Sequence, residues 1–188
     1  MRVSTVQIAG IAGSLRATSW ARSLLRATAQ QSTKVDLTIW DALGKVPLFN
    51  EDLENGPVPE AVADMRELID RSDALLIVTP EYNQSIPGVL KNALDWASRP
   101  YGQTVLKDKP VAAVGTSPLP TGGAGALADV RKVITLLGAD VIEAELTVPQ
   151  VHTRFDAEGL ICDPQLADRM DQLLTKIADH DMEKRSVA

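Results

Sequence analysis

Apolar residues recur along this 188-residue chain in two alternating rhythms. Five short stretches are dense in Val, Ile, Leu and Thr: VSTVQIAG (3–10), VDLTIW (35–40), ALLIVT (74–79), PVAAVG (110–115) and DVIEAEL (140–146). That composition over so short a run predicts β-strands. Between them apolar positions return every three or four residues, as one face of a helix requires. Val62, Met65, Leu68 and Ile69 share such a face within 60–71, and Leu90, Ala93, Leu94 and Ala97 share one within 88–97, opposite Lys91, Asn92 and Asp95. Leu127, Val130, Ile134 and Leu137 repeat the spacing, as do Leu166, Met170, Leu173 and Ile177. A first helix is expected over about 19–31, with Ser19 as its N-cap, and Gly138 suits the end of the helix that carries Leu137.

Strand and helix signals alternate strictly, which predicts a parallel sheet with helices on both faces. Strands 74–79 and 110–115 are apolar throughout, as central strands buried on both sides must be, whereas 35–40 and 140–146 alternate polar and apolar as edges do. The predicted fold class is therefore α/β, a doubly wound five-stranded sheet in the order 2-1-3-4-5. This order reverses between strands 1 and 3 and opens a crevice at their carboxyl ends. The length and the 45% hydrophobic content suit one domain over residues 1–188.

Three unusual loops follow the strands that meet at this crevice. In GIAGSLRATS (10–19), Gly10 and Gly13 permit a tight turn, Ser14 and Ser19 offer hydroxyls, and Arg16 offers a fork of charged donors beside a helix start. The set suits a compact phosphate dianion, and it lacks both the Lys-Ser/Thr of a triphosphate loop and the dinucleotide glycine spacing. In TPEYNQSIPG (79–88), Pro80 and Pro87 stiffen the backbone and are expected to leave the N–H groups of Glu81, Tyr82 and Asn83 pointing outward, toward the rim of a planar heterocycle. The third loop, SPLPTGGAG (117–125), is small enough for its backbone to approach a flat ring. Residues 41–59 are too long for a simple connector and suit a binding rim or a subunit contact.

Charge and cysteine content exclude several classes. A formal net charge of −6 disfavours a nucleic-acid or membrane-surface binder. Cys162 is the single cysteine and His152 and His180 the two histidines, so no internal disulfide and no thiolate–imidazole metal cluster is expected. No secretory leader pattern or long apolar span is apparent, and a cytoplasmic protein is expected.

The residues GSLRATS (13–19), TPEYNQSIPGVLKNALDW (79–96) and GGAGALADVR (122–131) together resemble the NADPH-dependent FMN reductase family, and within it the bacterial quinone, chromate and ferric reductase branch. The similarity runs over roughly residues 3–178. It implies the flavodoxin-like version of the fold and an enzyme that passes hydride from NADPH or NADH through bound FMN to small-molecule electron acceptors such as quinones, chromate, ferric complexes or free flavin, by a ping-pong mechanism. It implies that Ser14, Arg16, Ser19, Trp20 and Ala21 hold the FMN phosphate, that Pro80, Glu81, Tyr82 and Asn83 border the isoalloxazine ring, and that Ser117, Gly122 and Gly123 line its other side. Ala21 stands where family members often carry asparagine, one side-chain donor fewer. No side chain is expected to act as catalytic nucleophile or general base, since the cofactor carries the redox chemistry. The resemblance further implies a homodimer or homotetramer, with 41–59 and 88–97 as candidate contacts. The competing reading is a flavodoxin-type FMN electron carrier without NAD(P)H oxidase activity; the charged arginine of GSLRATS points away from it.

Overall fold

The computed structural model describes residues 5–54, 56–144 and 146–187. In chain order the elements are β1 (Val6–Ala12), α1 (Trp20–Gln31), β2 (Val35–Trp40), a 3₁₀ turn at Leu43–Lys45, the short α2 (Glu51–Glu54), α3 (Glu60–Arg71) and β3 (Ala74–Pro80). There follow α4 (Gly88–Ala97), β4 (Pro110–Thr116), α5 (Ala124–Leu136), β5 (Asp140–Val141), β6 (Leu146–Val148), a 3₁₀ turn at Val151–Thr153 and α6 (Pro164–Val187). Among the described residues these strands all pair in parallel, in the order β2-β1-β3-β4-β5 that the alternation predicts, with β6 also on β4.

The burial of the strands explains that order. β3 is buried at Ala74–Thr79 and β4 along its whole length, while β2 alternates, with Asp36 and Thr38 exposed. Ile8, Leu76, Val78 and Val114 face one apolar layer with Leu24 and Leu25 of α1 and Met170, Leu173 and Ile177 of α6. On the other face Ile11, Leu75, Ile77 and Val111 meet Val62, Met65 and Ile69 of α3, Leu90 and Leu94 of α4, and Val130 and Ile134 of α5. A parallel sheet needs both faces covered, and the helical stripes supply the cover.

Two boundaries differ from expectation. The strand expected at 3–10 is observed over Val6–Ala12; its first two positions, 3 and 4, lie outside the described residues. The segment expected as one edge strand over 140–146 forms two short strands that pair with successive parts of β4, Asp140–Val141 with Pro110–Val111 and Leu146–Val148 with Val114–Thr116; Glu145 lies outside the described residues. Glu143, in the gap, is turned to Arg131 of α5 as an ion pair, so the alternation ceases to follow the sheet. Helix ends follow the sequence closely. Ser19 Oγ accepts the Arg22 N–H at 3.4 Å as N-cap of α1, and Gly138, with φ 79°, takes the left-handed position just after α5.

A polar staple joins α6 to the start of β5. Asp140 Oδ2 lies 2.8 Å from His180 Nε2 and 2.6 Å from Lys184 Nζ, and Lys184 also donates to the Asp108 carbonyl at 2.7 Å. Burial pushes the Asp140 carboxyl up, but the Lys184 and His180 hydrogen bonds and charges outweigh it and hold the group below the usual carboxylate range. A carboxyl whose folded pKa is depressed adds stability above its unfolded pKa of about 3.9 and loses it as pH falls through the lower folded value. The melting-temperature difference between wild type and Asp140→Asn, followed by circular dichroism, is expected to be positive at pH 6 and to shrink as the pH drops below about 4. A difference that persists undiminished to pH 2 overturns the assignment.

Candidate active site

At the carboxyl edge of the sheet the first two predicted loops converge. The Gly13 N–H donates to the Val78 carbonyl at 2.8 Å, which lays the first loop across the end of β3. The buried Ser14 hydroxyl then reaches the Tyr82 hydroxyl at 3.2 Å and accepts the Arg16 N–H at 3.3 Å. Arg16 itself is exposed, its guanidinium 3.4 Å from Thr18 Oγ1. The first i→i−4 bond of α1 runs from Ser23 N to the Ser19 carbonyl, so the N–H groups of Trp20 and Ala21 precede the helical ladder at its electropositive end.

A cavity of about 170 Å³ is lined by Ser14, Arg16, Ser19, Trp20, Ala21, Pro80, Glu81 and Tyr82, together with Thr116, Pro118 and Val151. The first eight are residues the sequence points to; the last three are not. Thr116 and Pro118 flank Ser117, while Val151 comes from the turn after β6, for which the sequence carries no local signal. Asn83, Ser117, Gly122 and Gly123 lie outside this lining. Ser117 spends its backbone on β6 and the following turn, donating to Val148 and accepting from Val151, each at 3.1 Å, and its hydroxyl accepts the Leu119 N–H. Gly122 and Gly123 have φ of 63° and 83°; a Cβ on Gly122 would lie 2.9 Å from Thr147 Cβ of β6, and one on Gly123 would lie 2.7 Å from Thr116 N at the end of β4. Only glycine fits so close an approach.

The second loop departs from expectation. Asn83 and Gln84 both adopt left-handed backbone, with φ of 53° and 61°, and Tyr82 and Ser85 exchange backbone hydrogen bonds at 3.0 and 3.1 Å. This is a tight two-residue turn with positive φ at both central positions. The Tyr82 N–H, expected to point outward, is therefore spent inside the turn. The Glu81 carboxylate is spent as well: its Oε2 accepts the N–H groups of Gly125 at 2.7 Å and Ala126 at 3.2 Å.

A second, larger hollow of about 500 Å³ adjoins the first and shares Arg16 and Tyr82 with it. Leu15, Leu43, Val46, Leu48, Pro87 and Val89 make it apolar. One wall comes from residues 43–48 of the long connection, and α4 holds the adjoining 47–49 stretch. Asn92 Oδ1 accepts the Phe49 N–H at 2.7 Å, Asn92 Nδ2 donates to the Pro47 carbonyl at 2.9 Å, and Trp96 Nε1 donates to the same carbonyl at 2.8 Å. Phe49 meets the Trp96 ring edge-on at 5.1 Å and lies 5.0 Å beneath the Arg99 guanidinium. Asn92 and Trp96 are thus rim-setting residues, a role their positions in the helical pattern do not reveal.

The donor set fits a phosphate monoester: a buried serine hydroxyl, a second serine at a helix start, that helix's leading N–H groups and an exposed arginine. The adjoining hollow fits an apolar planar group beside Tyr82. The family model for NADPH-dependent FMN reductase matches residues 6–153. The chain belongs to that family. As an NADPH-dependent FMN reductase it is an oxidoreductase working with FMN and NAD(P)H. It is 42% identical over 158 residues to a quinone reductase of Pseudomonas putida, covering 83% of this chain and 84% of that protein. It is 37% identical to a 2-hydroxy-1,4-benzoquinone reductase of a Burkholderia species, over 92% of this chain and 94% of that one. In structure it is similar to the flavoenzyme NAD(P)H:(acceptor) oxidoreductase FerB of Paracoccus denitrificans, with a TM-score of 0.87 and 32% identity over 95% of this chain and 98% of FerB. No helix among the described residues is long and apolar enough to cross a membrane.

The rim of the larger hollow gives a direct test. Asn92→Ala removes both of its bonds to the 47–49 segment and is expected to cost about 2 kcal/mol, a fall in melting temperature of roughly 4–8 °C, with faster hydrogen exchange at the Phe49 amide. An unchanged Phe49 exchange rate overturns the assignment of Asn92 to the rim.

Proposed function

We propose that the protein is a quinone reductase that transfers hydride from NAD(P)H to a small-molecule acceptor through FMN bound across the two adjoining hollows. The observation that carries this reading is the phosphate-type donor set placed at the topological switch point, next to an apolar hollow. The relatives that reduce quinones support the acceptor class.

FMN, when bound, supplies the two-electron chemistry, taking hydride from the nicotinamide and giving it up to the acceptor. Ser14, Arg16 and Ser19, with the N–H groups of Trp20 and Ala21, hold its phosphate. Pro80 and Tyr82 border its ring, with Thr116 and Pro118 across the cavity; Asn83 flanks this edge from the turn. Ser117, Gly122 and Gly123 act behind the lining, keeping the third loop flat against β4. The apolar walls of the larger hollow exclude water and accept nicotinamide and quinone in turn, which makes a ping-pong order the natural one. Chromate, ferric complexes and free flavin remain acceptors of the same proposed site, taken up at its open side near Arg16. The 41–59 rim and α4 are proposed as contacts of a homodimer or homotetramer, and the cytoplasm as the location.

Arg16→Ala and Ser14→Ala are each expected to weaken FMN binding by about tenfold in a fluorescence titration, while the wild type oxidises NADPH faster when a quinone is added. Unchanged FMN affinity in both variants sinks the phosphate assignment. A wild type that binds FMN but does not oxidise NADPH or NADH points instead to an electron carrier.

A further inference from the structure

The 80–85 turn is held in an unfavourable shape. Asn83 tolerates left-handed backbone well, but Gln84, with φ 61°, does not, since its Cβ crowds the carbonyl there. Such a conformation persists only where its surroundings over-determine it. Three features do so, and all come from α5. Glu81 Oε2 accepts the Gly125 and Ala126 N–H groups, which places a negative charge at the electropositive helix start. Ser85 Oγ donates to Asp129 Oδ2 at 2.5 Å, one turn further along the helix. Between these ties the backbone of the turn lies against the helix so closely that a Cβ on Gly125 would meet the Gln84 carbonyl oxygen at 2.7 Å.

We propose that Glu81 and Asp129 form a clamp that makes the 80–85 turn and the start of α5 one rigid body, and that the Glu81 carboxylate is therefore a positioning group, while the residue still lines the cavity. The clamp fixes the distance between the Tyr82 edge of the site and the third loop, because the segment from Gly122 to Ala124 leads directly into α5. It also consumes the leading donors of α5. With those donors spent on Glu81, the start of α5 offers none to an anion. This role rests on the FMN reading above, since what the clamp positions are the walls that border the ring.

The test separates the clamp from direct contact. In FMN-free protein, Glu81→Ala is expected to speed amide hydrogen exchange at Gly125 and Ala126 by about tenfold or more, and in titration to weaken FMN binding by about tenfold. Glu81→Gln, whose amide oxygen still accepts an N–H, is expected to recover most of both. Ser85→Ala, which leaves the helix cap intact, is expected to weaken FMN binding by about threefold, and together with Glu81→Gln to give a combined loss that differs from the product of the two. Should Glu81→Ala not fold, Glu81→Gln and Ser85→Ala carry the same comparison. Weaker FMN binding with unchanged exchange at Gly125 and Ala126 overturns the clamp in favour of direct contact. Faster exchange with unchanged FMN affinity overturns the positioning role. Absence of FMN binding by the wild type overturns the cofactor reading instead, and the exchange result then decides the clamp by itself.

Discussion

The hydrogen bond from Gly13 N to the Val78 carbonyl, 2.8 Å long, is the contact on which the site depends. It forms where β1 leaves the sheet and its neighbour β3 runs two residues further. A Cβ on Gly13 would lie 2.9 Å from both Leu90 Cδ2 and Thr79 Oγ1, so a larger residue here would have to displace both side chains. With the bond in place, the first loop lies flat between β3 and α4, and Ser14 is delivered to Tyr82. The sheet order makes this junction the candidate site, since α1 and α4 leave β1 and β3 toward opposite faces.

The third loop obeys a similar constraint by other means. Gly115 in β4 and Gly123 ahead of α5 are in such close approach that a Cβ on the former would lie 2.5 Å from the carbonyl oxygen of the latter. β6 completes the arrangement, as Val148 accepts from Ser117 and donates to the Gly122 carbonyl. The interruption between β5 and β6 allows this arrangement. The second short strand is free to track the far end of β4, where it supports the loop, while the first stays under the Asp140 staple.

The fold was legible because burial on two faces leaves so direct a trace: continuous apolar strands at the centre, alternating ones at the edge, and helical stripes of matching width. The loops were legible as a set because three chemically unusual segments follow three adjacent strands. What the sequence concealed is how their polar groups are spent. The Tyr82 N–H is consumed only because Asn83 and Gln84 both turn left-handed, and the Glu81 carboxylate only because α5, more than forty residues later, presents its bare start to it. Glu81 and Tyr82 look alike in the motif, yet one turns toward a helix and the other toward the cavity. Pattern and spacing do not carry that distinction, since it depends on long-range packing.

The distribution of charge follows from the same packing. An overall charge of −6 opposes anion binding at long range, so a phosphate held at the proposed site would have to be attracted locally. Of the helix starts at this edge, α5 is neutralised by Glu81, while α1 keeps its leading N–H groups and gains two serines and an arginine. Ala21 contributes a buried methyl to this wall, 1% exposed, where a longer polar side chain would have to leave the core layer under α1. The absence of an asparagine there removes a side-chain donor but leaves the backbone donor of the same residue in place. In a helix start the backbone dipoles and the arginine carry most of the attraction, and both survive that change.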